Sequence, residues 1–261
     1  MPFPKYPSKN QDENLFSISD LFGLRTKVFP LFGFYQSKEG LFGLGTAFRI
    51  DTFGNAMTAY HVIEDQLVLT GNINNPIALS KKIRCVGLDA LGIGYGTCLI
   101  SDKSWMNIKH LEAESGYSRD VYTAKSPINV NETAILDMPS NTLDGKQHSF
   151  LPIDLCAQVN VGDKVLALGF PALKPREIIA EEKLVTVSAE MSGSFGTVTD
   201  VLPDGLSASR PWPTLVVDGD WPSGMSGGPV FNESGNVIGL VSAGVDGQYA
   251  SARWLKATTQ S

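Results

Sequence analysis

Short apolar runs bounded by turn residues recur along most of the chain. They predict β-strands at residues 43–50, 56–60, 66–70, 83–88, 95–101, 119–123, 133–138, 164–170, 183–189, 195–202, 214–217, 229–232 and 237–243. No strong 3.6-residue apolar period persists beyond about three turns, so only two short helices are predicted, at 17–24 and from residue 251 onward. Many short strands without helical crossovers predict an antiparallel sandwich or barrel.

The length of the chain allows one or two domains. With 261 residues, 43% of them hydrophobic, there is ample sequence to bury a core, and 26 Gly and 15 Pro supply the turns that an all-β architecture requires. The composition changes at a polar stretch near 139–150, which is the best candidate boundary. We therefore predict an N-terminal arm at 1–30, a first β-domain at 31–145 and a second at 146–261.

Charge and composition exclude several classes of partner. The net charge is −6, the isoelectric point is about 5.1, and the Lys and Arg residues are scattered, which argues against nucleic-acid binding. No stretch of about 18 apolar residues and no signal-peptide pattern occurs, so no membrane span is expected. Three cysteines, at 85, 98 and 156, fit buried, reduced thiols in a cytoplasmic protein better than a disulfide framework.

One histidine and one serine stand in distinctive local sequences. His61 ends the sequence TAYH after an apolar run, and Ser226 lies in GMSGGP at 224–229. Acyl transfer by a serine needs a hydroxyl on a sharp glycine-rich turn, backbone N–H groups aimed at the developing oxyanion, and an imidazole that takes the hydroxyl proton. His61 is therefore the candidate general base and Ser226 the candidate nucleophile, with the N–H groups of Gly224 and Ser226 as oxyanion donors. His110 and His148 lack such surroundings and are expected at the surface.

Four segments in order resemble those of bacterial trypsin-like serine peptidases, in particular the HtrA and V8-like branch. They are GTAF at 45–48, TAYHV at 58–62, VGDKVLALGFP at 161–171, and GMSGGPV at 224–230 followed by GNVIGL at 235–240. His precedes Ser, which is the order of chymotrypsin-type enzymes. The resemblance covers residues 38–250. It implies a chymotrypsin-like fold of two six-stranded antiparallel β-barrels, with the active site in the cleft between them, and no PDZ domain after Ser226.

The triad acid departs from the family pattern. The resemblance places it in NETAIL at 131–136, where Glu132 stands in place of Asp. A Glu carboxylate can still hold the imidazole tautomer, but one extra C–C bond of about 1.5 Å must be absorbed by the rotamer or the backbone. Asp120 is an alternative if a long insertion shifts the register. Asp137, at the far end of the predicted strand, is another.

The specificity pocket is less well defined by the sequence. Asp220 stands six residues before the nucleophile, where trypsin-like enzymes have the pocket floor, and a buried carboxylate there would select Lys or Arg. An Asp in a plain hairpin turn beside Gly219 is the interpretation that the sequence favours. Ser242, Ala243 and Gly244 are expected to form the far wall and to admit a sizeable side chain. No His follows Ser226, so acid-selective cleavage is not expected.

These observations predict a serine endopeptidase that acts on protein or peptide substrates. No His, Cys, Asp or Glu cluster has metal-ligand spacing, so neither a metal nor a cofactor is implied. The alternative is a catalytically silent trypsin fold that serves as a binding or sensor module, and the Glu at position 132 is the feature that favours it. The sequence does not define an oligomeric state.

Overall fold

Antiparallel strands form almost all of the regular structure. The computed structural model describes residues 15–18, 23–35, 41–72, 75–79, 83–88, 97–100, 104–116, 128–139, 147–171, 173–179, 184–188, 190–245 and 249–256. Within these ranges the only α-helix is the single turn α1 (Tyr60–Ile63), with 3₁₀ turns at Leu24–Thr26 and Glu64–Gln66. No helix in this part of the chain is long and apolar enough to cross a membrane.

The strands, in chain order, are β1 (Phe16–Ser17), β2 (Val28–Tyr35), β3 (Leu41–Arg49), β4 (Asn55–Ala59), β5 (Leu67–Asn72), β6 (Asn75–Leu79), β7 (Ile83–Leu88), β8 (Thr97–Ile100), β9 (Trp105–Asn107), β10 (His110–Gly116), β11 (Ile128–Asp137), β12 (Lys164–Gly169), β13 (Lys174–Ile179), β14 (Leu184–Ser188), β15 (Ser192–Leu202), β16 (Thr214–Asp218), β17 (Pro229–Phe231), β18 (Val237–Val245) and β19 (Tyr249–Trp254).

The second half of the chain closes into a barrel. Its sheet has the order β15-β12-β17-β18-β19-β16, and β16 pairs back onto β15, so six strands form a closed ring. A barrel interior of this size is filled by side chains, here a buried apolar cluster that includes Val165, Leu215, Val230 and Ile238. Closure removes the free sheet edges and gives a rigid support for the loops at its rim.

The first half forms a curled sheet of order β10-β11-β4-β3-β2-β7-β9. Its concave face is filled by large buried apolar side chains such as Phe29, Phe32, Phe48 and Leu136. The same cluster continues into residues of the second half, among them Leu168 and other side chains of β12 and β18. The two sheets therefore pack directly on each other and confirm the predicted all-β, chymotrypsin-like double-barrel fold.

Two connections were not predicted from the sequence. Residues 16–17 of the N-terminal arm pair with β15, so the arm adds an edge strand to the second barrel. The strand β8, which lies between β7 and β9 of the first half, pairs with β14 of the second half, with Val185 opposite Ile100. Both are long-range pairings that no local apolar pattern encodes.

Neither predicted helix is found over the residues that the structure describes, and residues 19–22 and 257–261 lie outside them. Residues 16–17 form a strand, and the segment from residue 251 continues β19, although its alanines favour helix. β19 pairs with β16 on one side and β18 on the other, and this tertiary pairing overrides the local preference. The predicted strand at 119–123 lies outside the described residues, as does the predicted domain boundary at 145–146, so the division into domains stays a prediction.

Candidate active site

The imidazole of His61 lies at the junction of a buried strand and a short helical turn. β4 pairs with β3 and β11, ends at Ala59, and α1 begins at Tyr60. Tyr60, Val62 and Ile63 are buried and anchor the turn, whereas the His61 side chain is 36% exposed. The local sequence therefore fixes the backbone of this turn and leaves one edge of the imidazole open to solvent.

Ser226 lies in a tight turn that glycine makes possible. Gly224 and Gly227 on either side have φ values of 98° and 83°, a region that L side chains rarely adopt. A Cβ on Gly227 would lie 2.2 Å from the hydroxyl oxygen of Thr58 and 2.3 Å from the carbonyl oxygen of Thr46, so no larger residue fits there. The half-buried Ser226 is thereby held in one backbone conformation.

The first barrel holds this turn through Thr46, which the sequence analysis did not single out. The Thr46 N–H donates to the carbonyl oxygen of Ser226 at 2.8 Å, and its hydroxyl donates to the carbonyl oxygen of Gly224 at 2.8 Å. The same hydroxyl accepts from the N–H of Phe170 at 3.0 Å. Thr46 belongs to the GTAF segment, so its place in that motif was the available signal.

Two N–H groups of the turn are left without protein acceptors. The N–H of Met225 donates to Pro222 at 3.1 Å, that of Gly227 to Val241 at 2.8 Å and that of Gly228 to Met225 at 2.9 Å. Across the residues that the structure describes, those of Gly224 and Ser226 have no such acceptor. Paired free donors on a glycine turn can bind a developing oxyanion.

Glu132 is the carboxylate that contacts the imidazole. Its Oε1 lies 2.6 Å from His61 Nδ1 and accepts from the buried Ser242 hydroxyl at 2.7 Å. Its Oε2 accepts from the Asn129 amide, and its backbone N–H donates to Asn129 Oδ1 at 2.8 Å. The carboxylate is only 2% exposed. Both carboxylate oxygens thus accept hydrogen bonds from protein groups. Because Glu132 contacts Nδ1 of His61, the other ring nitrogen, Nε2, is not used by this contact.

The backbone at Glu132 departs from ordinary strand geometry. Residues 130–133 of β11 oppose the single residue 114 of β10, because the paired positions on either side are 129–115 and 134–113. Within this bulge Glu132 has φ 57°, the only non-glycine residue with a positive φ among the described residues. The backbone, rather than a rotamer alone, thus accommodates the longer Glu side chain.

The electrostatics of Glu132 favour its ionised form. Burial of the carboxyl group is the largest influence and raises its pKa, but the hydrogen bonds from His61, Ser242 and Asn129 and the charge of His61 outweigh it. The pKa of Glu132 is therefore lower than its ordinary value. An ionised acid is what the imidazolium form of His61 needs beside it.

Of the two alternative acids, Asp137 does not lie at the imidazole. Asp137 pairs with Asn55 at the opposite end of β11 from the Thr133–Ala59 pair beside α1. Asp120 lies outside the described residues.

The structure describes two of the residues assigned to the pocket. Asp220 is exposed rather than buried, and its carbonyl oxygen accepts from the Ser194 hydroxyl. The Ser242 hydroxyl donates to Glu132, and the place of Ser242 in the pocket wall stays a prediction. Ala243 and Gly244 lie in β18 next to it, where only their backbone is described.

Two further expectations about side-chain exposure are also corrected. His110 is exposed as expected, but His148 is buried, because the Thr52 carbonyl and Gly54 of the 51–54 turn pack against it. Cys85 is buried with a free thiol, whereas Cys156 has a free thiol in an exposed turn. Cys98 lies in β8 and its side chain is not described. No group of three or more His, Cys, Asp or Glu that could hold a metal occurs among the described residues.

The double barrel, with a glycine turn at Ser226 that Thr46 of the first sheet holds and a hydrogen-bonded His61–Glu132 pair, defines the class of chymotrypsin-fold peptidases. The family model for the trypsin-like peptidase domain matches residues 45–240, three quarters of the chain. The chain belongs to this family, and it is a serine protease.

Solved structures share the fold. The active form of the Rv3671c protease from M. tuberculosis has a TM-score of 0.52 at 15% identity, covering 88% of this chain and 76% of that one. An inactive form of Rv3671c gives 0.51 at 14%, with 88% and 84% covered. A search of curated proteins found no match. At these identities the likeness concerns the fold alone.

Proposed function

We propose that the protein is a serine endopeptidase that cleaves peptide bonds through an acyl-enzyme, with Ser226, His61 and Glu132 as its triad. One observation carries the proposal: the buried Glu132 carboxylate bonds His61 Nδ1 at 2.6 Å. A second observation supports it: Thr46, in the sheet that carries His61, donates hydrogen bonds to two carbonyl oxygens of the Ser226 turn and so holds that turn against the same sheet.

The proposed reaction begins with Nε2 of His61. This nitrogen takes the proton of the Ser226 hydroxyl while Oγ bonds to the carbonyl carbon of the scissile peptide. Glu132 holds the Nδ1–H tautomer and stabilises the imidazolium that forms. The imidazolium then gives its proton to the departing amine, which leaves an acyl ester on Ser226. Water, deprotonated by His61, hydrolyses that ester and restores the free hydroxyl.

The N–H groups of Gly224 and Ser226 receive the negative oxygen of each tetrahedral intermediate. Their lack of protein acceptors in the described part of the chain supports this role. Loss of one such donor lowers kcat by about 10²–10³ in comparable enzymes. The substrate class is protein or peptide, and the size of the accepted side chain depends on the β18 residues beside Ser242.

Labelling with a fluorophosphonate probe tests the proposal. The wild-type protein should become covalently labelled, and Ser226→Ala and His61→Ala should not. Ser223→Ala is the matched control, because Ser223 is an exposed hydroxyl in the same turn, and it should label like the wild type. A wild-type protein that stays unlabelled from neutral to alkaline pH would instead support a silent binding or sensor module.

We further propose that the protein works in the reducing cytoplasm. The support is that Cys85 and Cys156 both carry free thiols. Thiol titration of freshly purified, denatured protein should return three free cysteines. A count of one would reveal a disulfide and would contradict this assignment.

A further inference from the structure

A buried arginine of the second barrel hydrogen-bonds the residue that precedes Glu132. Arg253 in β19 donates from Nε to the carbonyl oxygen of Asn131 at 2.9 Å and from Nη2 to its side-chain Oδ1 at 2.7 Å. Its Nη1 donates to the carbonyl oxygen of Trp254. The planar guanidinium thus fixes both the backbone and the side chain of Asn131, and this fork geometry has no equivalent in lysine.

Arg253 is a buried cation near the Glu132 carboxylate. The residue is only 8% exposed. Burial, the largest influence, lowers its pKa to about 10, against the opposing charges of Glu132 and Glu114. The positive charge of Arg253 in turn favours the ionised form of Glu132.

The backbone conformation of the β11 bulge that Arg253 contacts is one that the strand would not adopt without outside contacts. Glu132 follows Asn131 inside the four-residue bulge and has φ 57°. A side chain in this region is disfavoured and persists only where neighbouring groups determine it. Asn129 fixes the near side of the bulge through its two hydrogen bonds to Glu132. On the far side, in the second barrel, the Asn131–Arg253 fork supplies the matching constraint.

We propose that Arg253 is a positioning residue: through its fork on Asn131, it holds the bulge of the first barrel at the distance where Glu132 meets His61. The fork joins β19 to β11, so it couples the relative position of the two barrels to the geometry of the triad. The inference rests on the proposed function, because it needs Glu132 to act on His61. The other charged groups around the carboxylate are His61 and Glu64, which neither variant below alters.

Two variants separate the fork from the charge. Asn131→Ala removes Oδ1 but leaves the main-chain carbonyl, and Arg253→Lys keeps a cation without the fork. Each should lower kcat by about tenfold to hundredfold with KM changed by less than about threefold, because a misplaced acid acts on the chemistry and not on peptide binding. The downfield proton NMR signal of His61 Nδ1–H should shift upfield or broaden in both.

The control is Arg49→Lys. Arg49 is also a buried arginine that donates to carbonyl oxygens, but those belong to Gly54 and Met138 within the first barrel. This variant should lower the melting temperature and leave both kcat and the NMR signal within about twofold of wild type. It therefore separates a loss of positioning from a general loss of stability.

The outcomes distinguish this inference from the proposed function. If Glu132→Gln is inactive while Asn131→Ala and Arg253→Lys keep wild-type kcat and an unshifted signal, the positioning role is refuted and the triad stands. If Arg253→Lys keeps wild-type kcat while Asn131→Ala does not, the positive charge is sufficient and the proposed role of the two-point hydrogen bonding is refuted. If Glu132→Gln keeps wild-type activity, the triad itself is wrong. Should Arg253→Lys not fold, the half-buried Asn131→Ala decides alone.

Discussion

Glu132→Asp should nearly inactivate this protease, although Asp is the residue that the family pattern carries. In the structure Oε1 lies 2.6 Å from His61 Nδ1. Removing one methylene withdraws the carboxylate by about 1.5 Å, which leaves a separation of about 4 Å, beyond hydrogen-bond range. The bulge and the Asn129 bonds hold the backbone in place, so it cannot follow. We expect kcat/KM to fall by about 10²–10⁴, as when a triad carboxylate is removed.

The assay compares kcat/KM and fluorophosphonate labelling rates of Glu132→Asp, Glu132→Gln and Glu132→Ala at neutral pH. All three should lie within about tenfold of one another, since each loses the Nδ1 contact or its charge. Backbone strain does not confound the comparison, because Asp tolerates a positive φ better than Glu. If Glu132→Asp keeps more than about a third of the wild-type kcat/KM, the backbone does close the gap and the reach argument is wrong.

Three further predictions follow from the same contacts. Thr46→Val removes the hydroxyl bonded to the Gly224 carbonyl and should lower both the labelling rate, by about tenfold, and the melting temperature, which differential scanning calorimetry would show. The lowered pKa of Glu132 stabilises the fold fully above the ordinary value of 4.5, and this contribution is lost as pH falls through the folded-state pKa. Urea denaturation at pH 6 and pH 3 should therefore show a larger loss for wild type than for Glu132→Gln. Burial raises the pKa of Cys85 to about 12, so in the native protein a thiol reagent should modify Cys156 and not Cys85. For the same reason, the free energy of unfolding should decline from about pH 9 upward, and replacing Cys85 by Ala should remove this decline.

Local sequence was sufficient to predict the strands that flank the site. The turn at 51–55 and the apolar run after it predicted the strand that ends before His61, and the glycines of 224–228 predicted the turn at Ser226. The turn before β4 depends on neighbouring residues only, because Asp51 accepts from the N–H groups of residues 53–55 within that turn. The pattern therefore encodes it directly.

The parts that sequence could not supply depend on pairing between distant residues. Thr46 lies about 180 residues from the carbonyls that it bonds, and Ser242 lies 110 residues from Glu132. From the sequence, small residues after Ser226 indicated a pocket wall, and nothing showed that the Ser242 hydroxyl would face a buried carboxylate. The exposure of Asp220 likewise depends on how the 219–223 loop leaves β16.

The geometry of Glu132 depends on several residues at once. The longer acid reaches His61 from a backbone set in the left-handed region, which costs about 1–3 kcal/mol. Hydrogen bonds offset that cost at about 0.5–1.5 kcal/mol each, and more where a charge takes part. Asn129 supplies two of them, and the Arg253 fork on Asn131 supplies two more from the other barrel. Glu132, Asn129, Asn131 and Arg253 therefore form one interdependent unit, joined by these four hydrogen bonds.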